Sequence, residues 1–313
     1  MHENQRNEKS SRPLVLITGG RGLIGRNLSP VLLSEGYDVA LLTRNEGKQG
    51  HIKAYTWNPE KGMIDPRAFE GVDYLVHLAG ANLGERRWTK KRKEEIISSR
   101  SGAAAFLFRV ITENKINLQA YITASATGYY GSVTSEKIFE EDDPASDDFL
   151  GTTCRLWEEE AGRFEEIGIR TVRIRNAVVL AEKEGVLTRL MNPAKFGFVV
   201  RLGSAKQYFP WIHIHDLCGI YLKAIKDQSM QGAYNAVAPE HIDHNDFVRA
   251  MARAMRRPVI LPPFPGWIIK AALGEMADII LRGSRISSGK IIESGFSFRF
   301  KTAGDALGNI ITG

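Results

Sequence analysis

Cysteine is scarce in this 313-residue sequence, where Cys154 and Cys218 stand far apart in unrelated patterns. Two isolated thiols exclude a disulfide framework and point to a reducing, cytoplasmic compartment. Long apolar runs are missing as well. The best candidate, Trp267 to Leu281, is interrupted by Lys270, Glu275 and Asp278, which excludes a helical membrane span. The seven histidines form no HExxH and no CxxC-type set, so no metal centre is expected. His213 and His215 flank one residue in a strand-like run, a spacing that predicts opposite faces and no shared ion. Neither sign of charge dominates, and a net charge of +6 selects no partner by itself. Residues 1–12 are polar, lack an apolar stretch, and read as a disordered tail rather than a signal peptide.

What is present is a strand that turns at once into a helix. The apolar run Leu14 to Thr18 leads into Gly19-Gly20-Arg21-Gly22-Leu23-Ile24-Gly25, followed by the amphipathic pattern Leu28, Val31, Leu32, Leu33. Gly19 or Gly20 permits the tight turn, Gly22 lets backbone approach a pyrophosphate, and Gly25 seats the helix on the strand. Leu23 and Ile24 open that helix, whose unpaired N–H groups and positive dipole end suit phosphate. In this setting the glycine pattern predicts a dinucleotide cofactor.

Apolar strands then alternate with helices. Strands are expected at 38–43, 52–57, 74–78, 120–124 and 170–175, with helices at about 90–114 and 150–167. This alternation predicts an α/β fold, a Rossmann-type doubly wound parallel sheet covered on both faces. Beyond Asn176 the rhythm loosens, with helices expected at about 186–196, from 215, at 244–256 and at 265–282, and a strand at 232–237. The expected organisation is a dinucleotide-binding domain over 13–180 and a smaller C-terminal substrate lobe over 181–313, interleaved with the sheet. A substrate cleft would lie beyond the carboxyl ends of the strands.

The second strand ends in Thr43-Arg44-Asn45, where a chain that prefers NAD usually carries a carboxylate. A guanidinium there binds a 2′-phosphate by charge-assisted hydrogen bonds, so the expected cofactor is NADP. Arg21 could approach the same phosphate.

Taken together, several stretches resemble the extended and atypical short-chain dehydrogenase/reductases, and more narrowly the "epimerase family protein" group, similar to SulA-like nucleoside-diphosphate-sugar epimerases. They are TGGRGLIG (18–25), LLTRN (41–45), VHLAGANL (76–83), RRWTKKRKEEIISSR (86–100) and SATGYYG (125–131). FPWIHIHDLCGI (209–220), YNAVAP (234–239) and a C-terminal segment of unknown function at about 258–310 complete the set. The resemblance implies that Gly19, Gly22 and Gly25 cradle the pyrophosphate and that Thr43 and Arg44 meet the 2′-phosphate. It implies that Leu78 and Ala79 line the adenine and ribose path, with Glu95 and Arg100 near the cofactor. Arg175-Asn176-Ala177 would pass the nicotinamide end.

One part of the superfamily pattern is missing. None of the nine tyrosines has lysine four residues after it, so the usual Tyr-x-x-x-Lys pair is absent. Counting along the helix from Glu158 puts Leu150 and Cys154 at those places, and Ala126 where a hydroxyl is usual. Loss of a general acid typically lowers a rate by ~10²–10⁴. Ser125, Thr127, Tyr129 and Tyr130 leave the fifth strand at its carboxyl end. Tyr130 is the best-placed replacement, with Ser125 or Thr127 as partner, although a tyrosine near a turn is as readily packed with its hydroxyl on backbone. His213 reads more simply as structural, Asp216 as the N-cap of the following helix, and Cys154 as half-buried and unactivated.

The basic run Arg86, Arg87, Lys90, Lys91, Arg92 and Lys93 reads first as a solvated helix face, next as a receiver of an anionic cofactor or substrate, and last as a nucleic-acid contact. No nucleic acid and no membrane partner is expected, and a homodimer is left open. The first reading of function is an NADP(H)-dependent oxidoreductase or epimerase-like enzyme acting on a small polar molecule, with a sugar nucleotide as one candidate. The alternative is an NADPH-binding sensor or interaction module with little turnover.

Overall fold

The computed structural model describes residues 12–44, 47–49, 51–182, 184–191, 199–202 and 207–312. Its strands are β1 (Leu14–Thr18), β2 (Asp38–Thr43), β3 (Gly47–Gln49), β4 (Ile52–Asn58), β5 (Met63–Ile64), β6 (Val72–His77), β7 (Ala120–Ala126) and β8 (Ile138–Phe139). They continue as β9 (Arg170–Asn176), β10 (Val178–Leu180), β11 (Val199–Leu202), β12 (Trp211–His213), β13 (Gly232–Ala236), β14 (Val259–Phe264) and β15 (Arg285–Ile286). Helices are α1 (Leu23–Ser34), α2 (Lys90–Ile97), α3 (Ala103–Glu113), α4 (Phe149–Glu166), α5 (Gly185–Met191) and α6 (Ile214–Lys226). After them come α7 (His244–Met255), α8 (Gly266–Leu273), α9 (Asp278–Leu281), α10 (Gly289–Glu293) and α11 (Ala303–Thr312).

The main sheet has nine strands in the order β13-β9-β7-β6-β1-β2-β4-β3, with β5 paired to β4. From β13 to β4 every pairing is parallel. The chain winds outward from β1 through β2 to β4, then crosses back to β6 on the other side of β1. Strand order therefore reverses between β1 and β6, and the crevice at their carboxyl ends is where such sheets take ligands.

Alternation along each strand builds two cores. Val15, Ile17, Leu41, Val76, Ile122, Val172 and Ile174 pack against Leu28 and Leu32 of α1 and Leu217, Ile220 and Tyr221 of α6. On the opposite face Leu16, Leu42, Leu75 and Tyr121 meet Phe106, Leu107 and Ile111 of α3 and Phe164 of α4. A third core joins Leu180, Trp211, Phe247, Met251, Phe300 and Leu307, closing α7 and α11 over the β10–β12 pair.

Four local expectations need correction or trimming. The helix over 90–114 is interrupted by a π-turn at Ser98–Gly102. Ser99 and Arg100 donate side-chain hydrogen bonds to the Ile96 carbonyl at 2.9 and 3.1 Å, competing with the backbone ladder. The helix over 265–282 breaks at Gly274, whose φ of 63° belongs to the left-handed region. His213 and His215 do not face opposite ways, because the strand stops at His213 and helix begins at Ile214. Their rings lie parallel, 5.4 Å apart, and His213 Nδ1 caps the helix by accepting the His215 N–H at 3.1 Å. Asp216 is therefore not the N-cap. Its buried carboxylate accepts the backbone N–H groups of Arg299 at 2.8 Å and Phe300 at 3.0 Å, tying the C-terminal segment to α6. Residues 1–11 of the expected tail and 192–196 of an expected helix lie outside the described residues.

Removing that carboxylate strands two backbone donors. Asp216→Ala should lower unfolding free energy by ~2–4 kcal/mol, read as a shift of the urea midpoint, with Asp216→Asn intermediate. Equal midpoints for all three proteins would contradict the assignment.

Candidate functional site

At the reversal between β1 and β6, one side chain ties the two strands together. Thr18 Oγ1 accepts the N–H groups of Leu78 and Ala79, both at 3.1 Å, and lies 2.7 Å from His77 Nδ1. Because both N–H groups can only donate, the hydroxyl proton goes to Nδ1, which assigns the His77 proton to Nε2. The imidazole is fully buried beside Trp57, Tyr121 and Trp157, and burial pushes its pKa down to about 4. It is neutral at pH 7 and serves as a fixed acceptor for Thr18.

The turn after β1 presses against the segment that Thr18 holds. Gly19 has φ of 68°, and a Cβ there would sit 2.9 Å from Ala79 N and from Leu78 C. At Gly25 a Cβ would meet Gly20 Cα at 2.5 Å, so the helix closes directly onto the loop. Gly22 is the N-cap of α1 with no side-chain cap, and the first turn carries no acidic residue. The N–H groups of Leu23, Ile24 and Gly25 therefore open a helix start with no side chain over it. This uncapped cradle, without an acidic side chain in its first turn, fits a diphosphate.

The adenosine end would lie along β2. Thr43 is buried and Arg44 is exposed, and among the described residues Arg44 has no ion-pair partner. Asn45 lies outside the described residues. Leu78 and Ala79 are half-buried, and the wall continues through Gly80–Asn82. Ser99 Oγ accepts the Ala81 N–H at 2.9 Å while Arg100 Nη2 donates to the Ala81 carbonyl at 3.0 Å. A Cβ on Gly80 would lie 3.1 Å from Arg100 Cζ. Arg100 thus holds the wall through its backbone. Glu95, half-exposed, is 2.6 Å from Arg92 Nη1. A separate open groove of about 1100 Å³, between β4 and α3, is lined by Trp57, Lys61, Phe69 and Arg109 and shares only Arg44 with these residues.

The structure draws Tyr130 and Ser125 inward. Each is 2% exposed. Ser125 Oγ donates to Glu158 Oε1 at 2.6 Å, and Glu158 takes both Nε and Nη2 of Arg175 at 2.8 Å. Arg175 Nη1 donates to the Tyr130 hydroxyl at 2.8 Å and to the Glu141 carbonyl at 2.9 Å. Tyr130 donates in turn to Asn235 Oδ1 at 2.7 Å. Burial raises the phenol pKa of Tyr130, and although burial opposes the charge of Arg175, its pairing with Glu158 raises the guanidinium pKa. The Arg175 side chain is committed to this network, so only its strand backbone is left to border a cofactor. Thr127 is half-buried and keeps one long bond, 3.4 Å to the Asn176 carbonyl.

Leu150 and Cys154 sit against the Thr127–Tyr130 turn. A Cβ on Gly128 would be 3.3 Å from Leu150 Cβ and 3.9 Å from Cys154 Sγ. Burial pushes the Cys154 thiol up to about 12, leaving it protonated. The place of an acid/base pair is filled by packing. Sequence reasoning missed Glu158 as the partner of Arg175 and Asn235 as the partner of Tyr130. The available signal was the pattern Val172-Arg-Ile-Arg175, which puts two guanidiniums on a sheet face that must be covered.

His77, His213 and His244 are all held at about 4 by burial, against about 6.5 when unfolded. The unfolded chain then binds protons first as pH falls. Stability should be full above about pH 6.5, decline toward pH 4, and owe nothing more to these groups below that. Urea unfolding at stepped pH tests this, and His77→Asn should reduce the slope by up to ~1.4 kcal/mol per pH unit. An unchanged slope would place the proton uptake elsewhere.

Residues 15–237 match the NAD dependent epimerase/dehydratase family, and residues 264–310 match a domain of unknown function, DUF1731. The chain is 37% identical over 300 residues to epimerase family protein YfhF of Bacillus subtilis (strain 168), covering 95% of this chain and 97% of that protein. It is 31% identical over 302 residues to human epimerase family protein SDR39U1, covering 95% and 99%. The crystal structure of human SDR39U1 (isoform2) with NADPH superposes with a TM-score of 0.86 at 29% identity, covering 96% of this chain and 99% of that one.

Proposed function

We propose, for a chain that belongs to the NAD dependent epimerase/dehydratase family, an NADP(H)-dependent oxidoreductase or epimerase-like function on a small polar substrate. The observation that carries it is the Thr18-clasped, uncapped helix start, with the exposed Arg44, which has no ion-pair partner among the described residues, at the end of the neighbouring strand. The human relative solved with NADPH supports the choice of dinucleotide. Gly19, Gly22, Leu23, Ile24 and Gly25 would hold the diphosphate, Thr43 and Arg44 the 2′-phosphate, and Leu78 and Ala79 the path between. The bound nicotinamide would supply hydride exchange.

The chain's own chemistry is modest. Thr127 Oγ1, half-buried at the end of β7 with one long hydrogen bond, would orient an oxygen of the substrate and relay a proton from solvent. Tyr130, Ser125, Glu158 and Arg175 brace the turn from behind. Leu150 and Cys154 favour a second reading, an NADPH-binding sensor or interaction module with little turnover. Sugar nucleotides are the substrate class to test first, since the nucleoside-diphosphate sugar epimerase from Corynebacterium glutamicum superposes at a TM-score of 0.77 and 30% identity.

NADPH should bind more tightly than NADH, and Arg44→Ala should weaken NADPH by ~10–100-fold while sparing NADH. Calorimetric titration of both proteins measures this, and equal wild-type affinities would overturn the cofactor assignment. Against a panel of sugar nucleotides, Thr127→Val should remove turnover, whereas Tyr130→Phe should lower stability by ~1–3 kcal/mol and leave the rate per folded molecule within a few-fold. A pure protein that binds NADPH and turns over none of the panel favours the sensor.

A further inference from the structure

We propose that α8 and α9 form a hinged roof over the mouth of the cofactor crevice, latched shut by the Lys93–Glu275 ion pair. The inference rests on the NADP(H) reading above. β6 and β7 are neighbouring strands, so the loops leaving their carboxyl ends stand side by side as two walls beyond the sheet. The walls meet at Trp88 and Phe149, the first residue of α4, whose ring centroids are 4.8 Å apart. Lys93 Nζ lies 5.1 Å from the same Phe149 ring. The roof touches both walls. On the α2 side, Glu275 pairs with Lys93, and Arg87 Nη2 lies 3.2 Å from where a Cβ on Gly274 would be. On the β7 side, Arg282 Nη1 donates to the Ser132 carbonyl and the Gly283 N–H to Thr134 Oγ1, both at 3.3 Å. The stretch from Gly274 to Gly283 therefore runs from one wall to the other.

The two feet are unequal. Ser284 donates to the Val133 carbonyl, a Cβ on Gly283 would collide with the Tyr208 carbonyl, and β15 then pairs with β8. That foot is built into the fold. The other rests on one ion pair, with side chains 27% and 64% exposed, and on the contact of Arg87 with a glycine. Exposed pairs of this kind contribute little to stability. Between the feet the roof is thinly packed. Trp267 is 73% exposed, Ile279 is exposed, and among the described residues of α8 only Ile269 is buried. Segments with few buried apolar contacts open locally at low cost. The roof thus swings from the Ser132–Thr134 foot when Lys93 releases Glu275, and a dinucleotide enters and leaves beneath it.

Two measurements on proteins with native circular dichroism test this. In hydrogen–deuterium exchange, Glu275→Gln should speed amide exchange across residues 266–281 by about 2–5-fold and leave the main sheet unchanged. In stopped-flow nicotinamide fluorescence, NADPH association and dissociation should both quicken by a similar factor, so the dissociation constant moves less than about twofold. Exchanging the charges, Lys93→Glu with Glu275→Lys, should restore slow exchange and slow rates. A merely structural pair would lower stability and weaken NADPH without speeding its association. Unchanged exchange in Glu275→Gln, faster exchange with unaltered NADPH rates, or no restoration in the charge-exchanged protein overturns the proposal. A protein that shows the exchange response yet binds no NADPH instead overturns the cofactor reading beneath it.

Discussion

The hydroxyl of Thr18 is the contact on which the cofactor cradle depends. It accepts two backbone N–H groups from the end of β6 and gives its own proton to His77, so three polar groups are satisfied by one small side chain. The bond also sets distance. With β1 and β6 held this close, the turn after β1 has no room for a side chain at Gly19, and the helix that follows starts against the crevice. The aromatic surroundings of His77 keep water out and keep the ring neutral, which preserves it as an acceptor. Geometry at the helix start is thereby anchored in the core rather than in the glycine loop itself.

A second polar system lies behind the expected chemistry. Arg175 and Glu158 form a buried ion pair with both carboxylate oxygens occupied, and Ser125, Tyr130 and the Glu141 carbonyl use the remaining hydrogen-bonding capacity. Breaking such a pair exposes an uncompensated charge, so the network resists rearrangement. A site built on this base offers rigid walls and few mobile protons.

Much of this was legible in the residues. The glycine turn between an apolar strand and an amphipathic helix, and the alternation that follows, carry enough local information to imply the sheet and its ligand crevice. Parallel strands buried on both faces leave near-continuous apolar runs such as Leu14 to Ile17, which are hard to misread. What escaped depended on long-range pairing. Nothing adjacent to Tyr130 reveals that Asn235, on β13, will claim its hydroxyl, or that Arg175 will approach from β9. The π-turn was hidden for a related reason, since Ser99 and Arg100 look like ordinary helix residues until their side chains take the Ile96 carbonyl. Asp216 misled because its spacing suits a cap, while its true partners lie more than eighty residues further along.

The threading of β13 has a consequence for biogenesis. This edge strand, and α6 that covers the same face as α1, come from chain that follows β10, α5 and β11. During vectorial synthesis the apolar surface around Val172 and Ile174 stays uncovered until residues past Ala236 have left the ribosome. The amino-terminal half cannot bury this face ahead of the remainder, so the nascent chain carries exposed apolar surface from the emergence of β9 until α6 and β13 have docked.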